Sequence, residues 1–468
     1  MDEQPKPNPP EQREKGKKQP RTQYPQGDNR QRDRQNQQHR YAADKNKQQN
    51  PKNERNSHNN PPPPPSNGDE EVMLSIREQE SLTPLLPNEQ EQHKNTAHKQ
   101  TSGKEEEETK HRPIIGITIG DMNSIAIEVI IKTFQDNRML EHCTPVIYGS
   151  SRAMSYHRKV LQFDAFNYHI AHNITKIKHG ICNVINCWTD EVPITIGKPN
   201  KKMGDYAFQS LEAATFDLQN KHLEAIVTAP INKHHVHNES NGFMGHTEYL
   251  TQKFNVANSV MLLVSDTLKV GLATNHLPVK DIAANINTDL LIEKMTIMTQ
   301  SLLVDFGIMA PKIAVLSLNP HAGDDGLIGS EDDLILKPAI EKVNQQQHSH
   351  VFGPFAADGF FGSGMYRHFD AILAMYHDQG LIPFKALSFG HGVNYTAGLP
   401  IVRTSPDHGT AYDIAGKNIA SEESFRSAVF MALDIARNRY NYAEMNENPL
   451  QRGLAAKAGL VAREGAVA

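Results

Sequence analysis

Short apolar runs, each long enough for one buried strand, recur from Arg112 to the end of the chain with longer amphipathic stretches between them. Ile114–Ile119 precedes a helix near Ser124–Phe134, and Ile313–Leu318 precedes another near Glu331–Gln345. Ala225–Thr228, Val260–Leu263, Val270–Thr274 and Ala371–Met375 repeat the strand pattern. A chain written this way buries its apolar surface by laying helices on the faces of a largely parallel sheet, so the expected class is α/β. Residues 261–273, MLLVSDTLKVGLA, read instead as an antiparallel hairpin, which makes the expected sheet mixed. The stretch 111–468 exceeds what one hydrophobic core usually serves, and two linked lobes are expected.

Three of these runs deliver a histidine just past their carboxyl ends: GLATNH at His276, AVLSLNPH at His321 and ILAMYH at His377. Ligands of open α/β sheets bind outside the carboxyl ends of strands. Three imidazoles gathered there make a divalent-metal site with positions open to substrate. Most of the 23 histidines are ordinary surface or core residues, and the argument rests only on the shared topological place of these three. Other strand ends add Asn232 and Lys233 after TAP and the turn Gly245-His246-Thr247-Glu248, where Thr247 is expected to cap a helix and His246 to face a ligand. The carboxylates Asp324 and Asp325 lack calcium-loop spacing and are expected to face solvent. Lys385, Asn394 and Arg403 suit an anionic small molecule, and the glycine-bearing run around Asp407 to Asp413 follows them.

Residues 1–110 are a different material. Gln, Asn, Lys, Arg, Glu and Pro dominate, with a proline run at 61–65, glutamates at 105–108 and apolar islands only at 72–76 and 82–86. Such a segment buries too little apolar surface to offset the entropy of ordering it, and is expected to be a disordered tail. Its basic first half could touch nucleic acid, but few aromatic residues are interleaved there, so a solvated spacer is the favoured reading. No signal peptide and no run of membrane-spanning length is visible, and Cys143, Cys182 and Cys187 lack zinc spacing, so free thiols in a reducing cytoplasm are expected.

The runs TAPINK, GHTEYL, NPHAGDDG, AMYHDQGLIPFK, GVNYTAGLP and RTSPDHGTAYDIAG resemble, in order, the motifs of the 4-hydroxythreonine-4-phosphate dehydrogenase (PdxA) family of pyridoxal phosphate biosynthesis. The resemblance implies a homodimer of two-lobed α/β/α chains like isocitrate and isopropylmalate dehydrogenases. It also implies NAD and a divalent metal (Zn, Mg or Co) as cofactors. Carried onto this chain, the metal histidines are His276, His321 and His377, and the substrate contacts are His246, Thr247, Asp358, Lys385, Asn394 and Arg403. His408, Gly409, Thr410 and Asp413 correspond to the loop that holds the adenosine half of a dinucleotide. Asp378, beside a metal ligand, is assigned as the catalytic proton acceptor, with orientation of a histidine as its other possible role. The expected reaction is oxidation of 4-phosphooxy-L-threonine followed by decarboxylation. The alternatives are a sugar-acid phosphate such as D-threonate or D-erythronate 4-phosphate, or a weakened core acting as a scaffold through its tail. One departure stands out: the family's GDPAGIGPE turn is here Gly120-Asp121-Met122-Asn123-Ser124-Ile125-Ala126-Ile127-Glu128.

Overall fold

A computed structural model describes residues 112–237, 242–347, 350–388 and 390–447. The tail expected at 1–110, with its two apolar islands, lies outside the described residues. The strands are β1 (Ile114–Thr118), β2 (Thr144–Gly149), β3 (Tyr168–Ala171), β4 (Cys182–Asn186), β5 (Ala225–Thr228) and β6 (Val260–Val264), followed by β7 (Lys269–Leu272), β8 (Lys312–Leu316), β9 (His350–Phe355), β10 (Ala371–Ala374), β11 (Val393–Ala397) and β12 (Val402–Pro406). They form one twelve-stranded sheet in the order β3-β4-β2-β1-β5-β12-β11-β6-β7-β10-β8-β9.

The sheet is mixed in a specific way. From β3 to β12 every neighbouring pair is parallel, and so is every pair from β7 to β9. Between the two blocks β11 pairs antiparallel with both β12 and β6, and β6 pairs antiparallel with β7, the hairpin expected from residues 261–273. Two parallel blocks therefore run in opposite directions. Within the second, the order β7-β10-β8 sets side by side the strand ends after which His276, His377 and His321 follow.

The parallel strands read as continuous apolar runs because both of their faces are covered. β2, β5, β6, β10 and β12 are buried along their whole length, and separate apolar clusters lie against the sheet. The helices that matter to the site are α1 (Ala126–Phe134), α2 (His246–Lys253), α3 (Thr288–Val304), α4 (His377–Ser388) and α5 (Glu423–Glu447). α4 sits hard against the sheet at Gly380, where a Cβ would stand 2.9 Å from both Leu272 and Val270. The helix expected near Glu331 opens with a wide π turn, Asp332–Leu336, and continues regularly to Gln347. All three cysteines are free, and burial pushes the Cys143 thiol up to about 12.

A buried polar knot ties β11 to the helices beneath it. Asp305 accepts from Tyr395 Oη at 2.6 Å, Ser301 Oγ at 2.6 Å and Arg439 Nε of α5 at 2.7 Å. Removing one partner of a buried pair strands the other charge. Arg439→Met should therefore lower stability by about 3 kcal/mol, seen as a melting temperature several degrees lower, with kcat/KM changed by no more than about twofold because the knot lies outside the cavity wall. An unchanged melting temperature would mean that Asp305 finds water instead.

Candidate active site

A cavity of about 560 Å³ opens where the two blocks meet. β11 and β12 contribute Asn394 and Arg403, and the first turn of α2 contributes His246, Thr247 and Glu248. The ends of β7 and β10 supply His276 and His377, and α4 adds Asp378 and Lys385. Lys233 reaches in from the loop after β5, and Asp407 and His408 from the loop after β12.

Arg403 is the deepest charge in it, 3% exposed. Its guanidinium donates to Thr228 Oγ1 from Nε at 3.1 Å and from Nη2 at 2.8 Å, and to Thr396 Oγ1 at 3.4 Å. These partners are neutral, and among the described residues no carboxylate stands within ion-pair distance of it. Burial pushes its pKa down to about 10, with the Glu248 charge opposing, so it remains a cation at neutral pH. A buried cation without a counter-ion is costly, and an anion bound in the cavity would offset that cost. Lys385 is a different case: its Nζ already lies 3.2 Å from Asp407 Oδ1 and 3.3 Å from its carbonyl oxygen. Burial, followed by the charges of Arg403 and Lys233, holds the His246 pKa well below the ordinary value, so this imidazole is neutral.

His276 and His377 face each other with ring centroids 6.1 Å apart. Each turns Nδ1 toward a carboxylate: His377 to Asp378 Oδ1 at 2.8 Å and His276 to Glu248 Oε1 at 3.6 Å. A carboxylate accepts only, so His377 Nδ1 donates to Asp378, and in each ring Nε2 is the nitrogen turned away from its carboxylate. The Lys233 ammonium stands 3.3 Å from His276 Nε2, a positive charge already beside that nitrogen. The donor chemistry fits a divalent ion with carboxylate-oriented imidazoles. Among the described residues, however, no group of three His, Cys, Asp or Glu side chains could hold a metal.

His321, the third histidine of the expected metal set, stands apart from the other two. Asp332 accepts from the N–H groups of Leu318 at 2.8 Å and Asn319 at 3.0 Å, pinning the loop after β8 to the π turn. His321 and Ala322 then take left-handed backbone, φ 52° each, and His321 is exposed outside the cavity wall. Asp358 is likewise exposed, on the short helix Ala357–Gly362, and does not line the cavity. Asp324 and Asp325 face solvent as expected. Thr247 does not cap α2: Gly245 holds that position, and the Thr247 hydroxyl lies 3.3 Å from Thr396 Oγ1. Asp378 is placed on His377 rather than free in the cavity. Of the dinucleotide set only His408 lines this cavity, while Gly409, Thr410 and Asp413 lie on the loop beyond, where nothing stands within 4 Å of a Cβ built on Gly409. Such openness suits the close approach of a cofactor to backbone. His408 Nδ1 donates to the Gly409 carbonyl at 3.2 Å, and its Nε2, like Asn394 Oδ1, is buried without a protein partner. Lys233, which the sequence placed at a strand end, joins the wall, and so do Glu248 and Asp407, to which the sequence assigned no role. Their signal was adjacency, each standing within two residues of a residue already singled out.

A family profile described as pyridoxal phosphate biosynthetic protein PdxA matches residues 141–432. The 4-hydroxythreonine-4-phosphate dehydrogenase of Bacteroides thetaiotaomicron is 51% identical over 347 residues, spanning 74% of this chain and 94% of that protein. The chain belongs to the PdxA family. PdxA proteins are dehydrogenases, so this chain is an oxidoreductase by family. A Cutibacterium acnes protein named for D-threonate 4-phosphate dehydrogenation is 35% identical, covering 69% of this chain and 94% of its own length. The crystal structure of the Klebsiella pneumoniae 4-hydroxythreonine-4-phosphate dehydrogenase superposes with a TM-score of 0.61 at 31% identity, covering 70% of this chain and 99% of that one. Among the described residues no helix is long and apolar enough to cross a membrane.

Proposed function

We propose that the chain is a 4-hydroxythreonine-4-phosphate dehydrogenase of vitamin B6 biosynthesis. In this reading it oxidises 4-phosphooxy-L-threonine with NAD to the 3-oxo acid, which loses carbon dioxide to give 3-amino-2-oxopropyl phosphate. The observation that carries the reading is Arg403, a buried cation whose partners among the described residues are neutral hydroxyls, in one cavity with the imidazoles of His276 and His377. Arg403 receives the phosphate, with its planar fork suited to two phosphate oxygens and Lys385 adding charge at the rim. His276 and His377 hold a divalent ion, and Glu248 and Asp378 keep their Nδ1 protons in place. Asp378 thus acts on orientation rather than as the proton acceptor. When bound, the ion polarises the substrate hydroxyl and the ketone formed from it, and NAD accepts the hydride. Neutral His246 can hydrogen-bond without adding charge.

The third imidazole, His321, comes in this reading from a second copy. It sits on an exposed loop with Leu327 at 82% and Ile328 at 43% exposure, an apolar surface suited to self-association in a homodimer. Free cysteines accord with a cytoplasmic setting. The Cutibacterium relative favours a second reading, dehydrogenation of D-threonate 4-phosphate by the same machinery.

The deciding assay is NADH formation by purified protein with added divalent metal, comparing 4-phosphooxy-L-threonine with D-threonate and D-erythronate 4-phosphates. Metal-dependent turnover preferring the threonine compound by tenfold or more, about 1.4 kcal/mol in transition-state binding, is the expected result. Preference for a sugar-acid phosphate would move the pathway and keep the mechanism. No turnover of any substrate would return belief to the scaffold alternative.

A further inference from the structure

The turn after β1 departs from the family pattern at its proline and glycines, keeps Asp121, and is rebuilt with buried side chains. Asp121, Asn123 and Ser124 are at most 1% exposed, as is Met122. Gly120 keeps the left-handed backbone, φ +68°, that lets the chain pass the Pro230 carbonyl. Ser124 Oγ donates to Asp121 O at 2.6 Å and accepts from Ala126 N at 3.0 Å, closing the turn and starting α1. The turn then grips two other loops. Asn123 Oδ1 accepts from Thr195 N at 2.8 Å, its Nδ2 donates to Lys198 O at 2.9 Å, and its carbonyl accepts from Gly197 N at 2.7 Å. Asp121 Oδ2 accepts from Tyr412 Oη at 2.6 Å, and Ile125 N donates to Thr410 O at 3.2 Å. The two gripped loops also touch: a Cβ on Gly416 would stand 2.7 Å from Ile196, and one on Gly197 would stand 3.1 Å from Tyr412 O.

We infer that Asp121 and Asn123 are positioning residues for cofactor binding, holding the 195–198 and 410–416 loops in the one arrangement that receives the dinucleotide. This rests on the NAD reading of the loop at His408 to Asp413. Thr410 and Tyr412 are fastened to the turn by backbone and side chain respectively, so the loop cannot shift without breaking a buried hydrogen bond to a carboxylate. Asn123 does for 195–198 what Asp121 does for 410–412. Neither residue reaches the cavity wall, so their effect falls on the cofactor and not on the phosphorylated substrate.

The chain carries a reporter for the test. Trp188 is its only tryptophan, tilted against Tyr206 with ring centroids 4.7 Å apart, on the segment that leads into 195–198. NADH titrations followed by Trp188 emission give the dissociation constant directly in wild type, Tyr412→Phe, Asn123→Ala and Asn123→Asp. The first two variants should bind NADH about tenfold more weakly. Their KM for NAD should rise in parallel, and the KM for the phosphorylated substrate should stay within about twofold. Asn123→Asp, which keeps the acceptor for Thr195 N, should recover part of the loss. Wild-type affinity in both variants, or equal rises in both KM values, would overturn the inference. Failure of the wild type to bind NADH would instead remove the cofactor reading and the inference with it.

Discussion

Arg403→Met should lower kcat/KM for the phosphorylated substrate by about 10²- to 10³-fold while raising the melting temperature of the ligand-free protein. The two effects have one cause. Among the described residues the guanidinium is held by the hydroxyls of Thr228 and Thr396 alone, so its charge is desolvated without a counter-charge. Replacing a poorly compensated buried charge by an apolar side chain of similar length is worth about 1–4 kcal/mol to the folded state. With phosphate bound the balance reverses, because losing one member of a buried hydrogen-bonded charge pair costs about 2–5 kcal/mol, and each 1.4 kcal/mol is about tenfold in affinity. Arg403→Lys should fall between, keeping charge and losing the fork. Kinetics and thermal melts with and without inorganic phosphate separate the terms: phosphate should stabilise wild type and not Arg403→Met. If Arg403→Met melted lower than wild type without ligand, the arginine would be structural and the anion argument would fall.

How far this site could be read from sequence depended on which way each strand faces. β1, β5, β8 and β10 were legible because burial on both faces makes a parallel strand a continuous apolar run, and β6, antiparallel to its neighbours, is buried along its whole length in the same way. β11 and β12 were not: VNYTA and VRTSP carry Asn394, Thr396, Arg403 and Ser405. Asn394 and Arg403 point those polar side chains into the cavity, so residues seen as polar groups suited to a ligand proved to be the strands that build its floor. The function of these strands erased their signature. Thr247 failed as a cap for a similar reason, since Gly245 already supplies the break and the hydroxyl turns to Thr396. The turn at 120–128 looked damaged beside the family pattern because sequence shows which glycines are gone. It does not show that Ser124, in place of one glycine, closes the turn by its own hydroxyl, or that Asn123 and the retained Asp121 hold Thr195, Gly197 and Tyr412.

His321 carries the remaining prediction, because the strand order brings its loop beside His276 and His377 while its side chain stays outside the cavity. Single replacements His276→Ala, His377→Ala and His321→Ala should each lose at least about 10³-fold in turnover, the loss of a metal ligand being comparable to removing a principal electrostatic stabiliser. Bound metal measured after gel filtration should fall with it. Asp378→Asn, which leaves the ligand and loosens its orientation, should cost about 10- to 100-fold in metal affinity. These losses alone do not say which chain supplies His321. Mixing the inactive His321→Ala and His377→Ala proteins, unfolding and refolding them together, does. In a two-fold symmetric dimer a hybrid has one site with both defects and one with neither, so random pairing should restore about a quarter of wild-type activity. If all three ligands came from one chain, every site in the mixture would lack one of them and activity would stay at the level of the parents. Recovery therefore requires a shared site, and its absence, with each variant folded and dimeric, would require the loop after β8 to swing His321 into its own chain's cavity when metal binds.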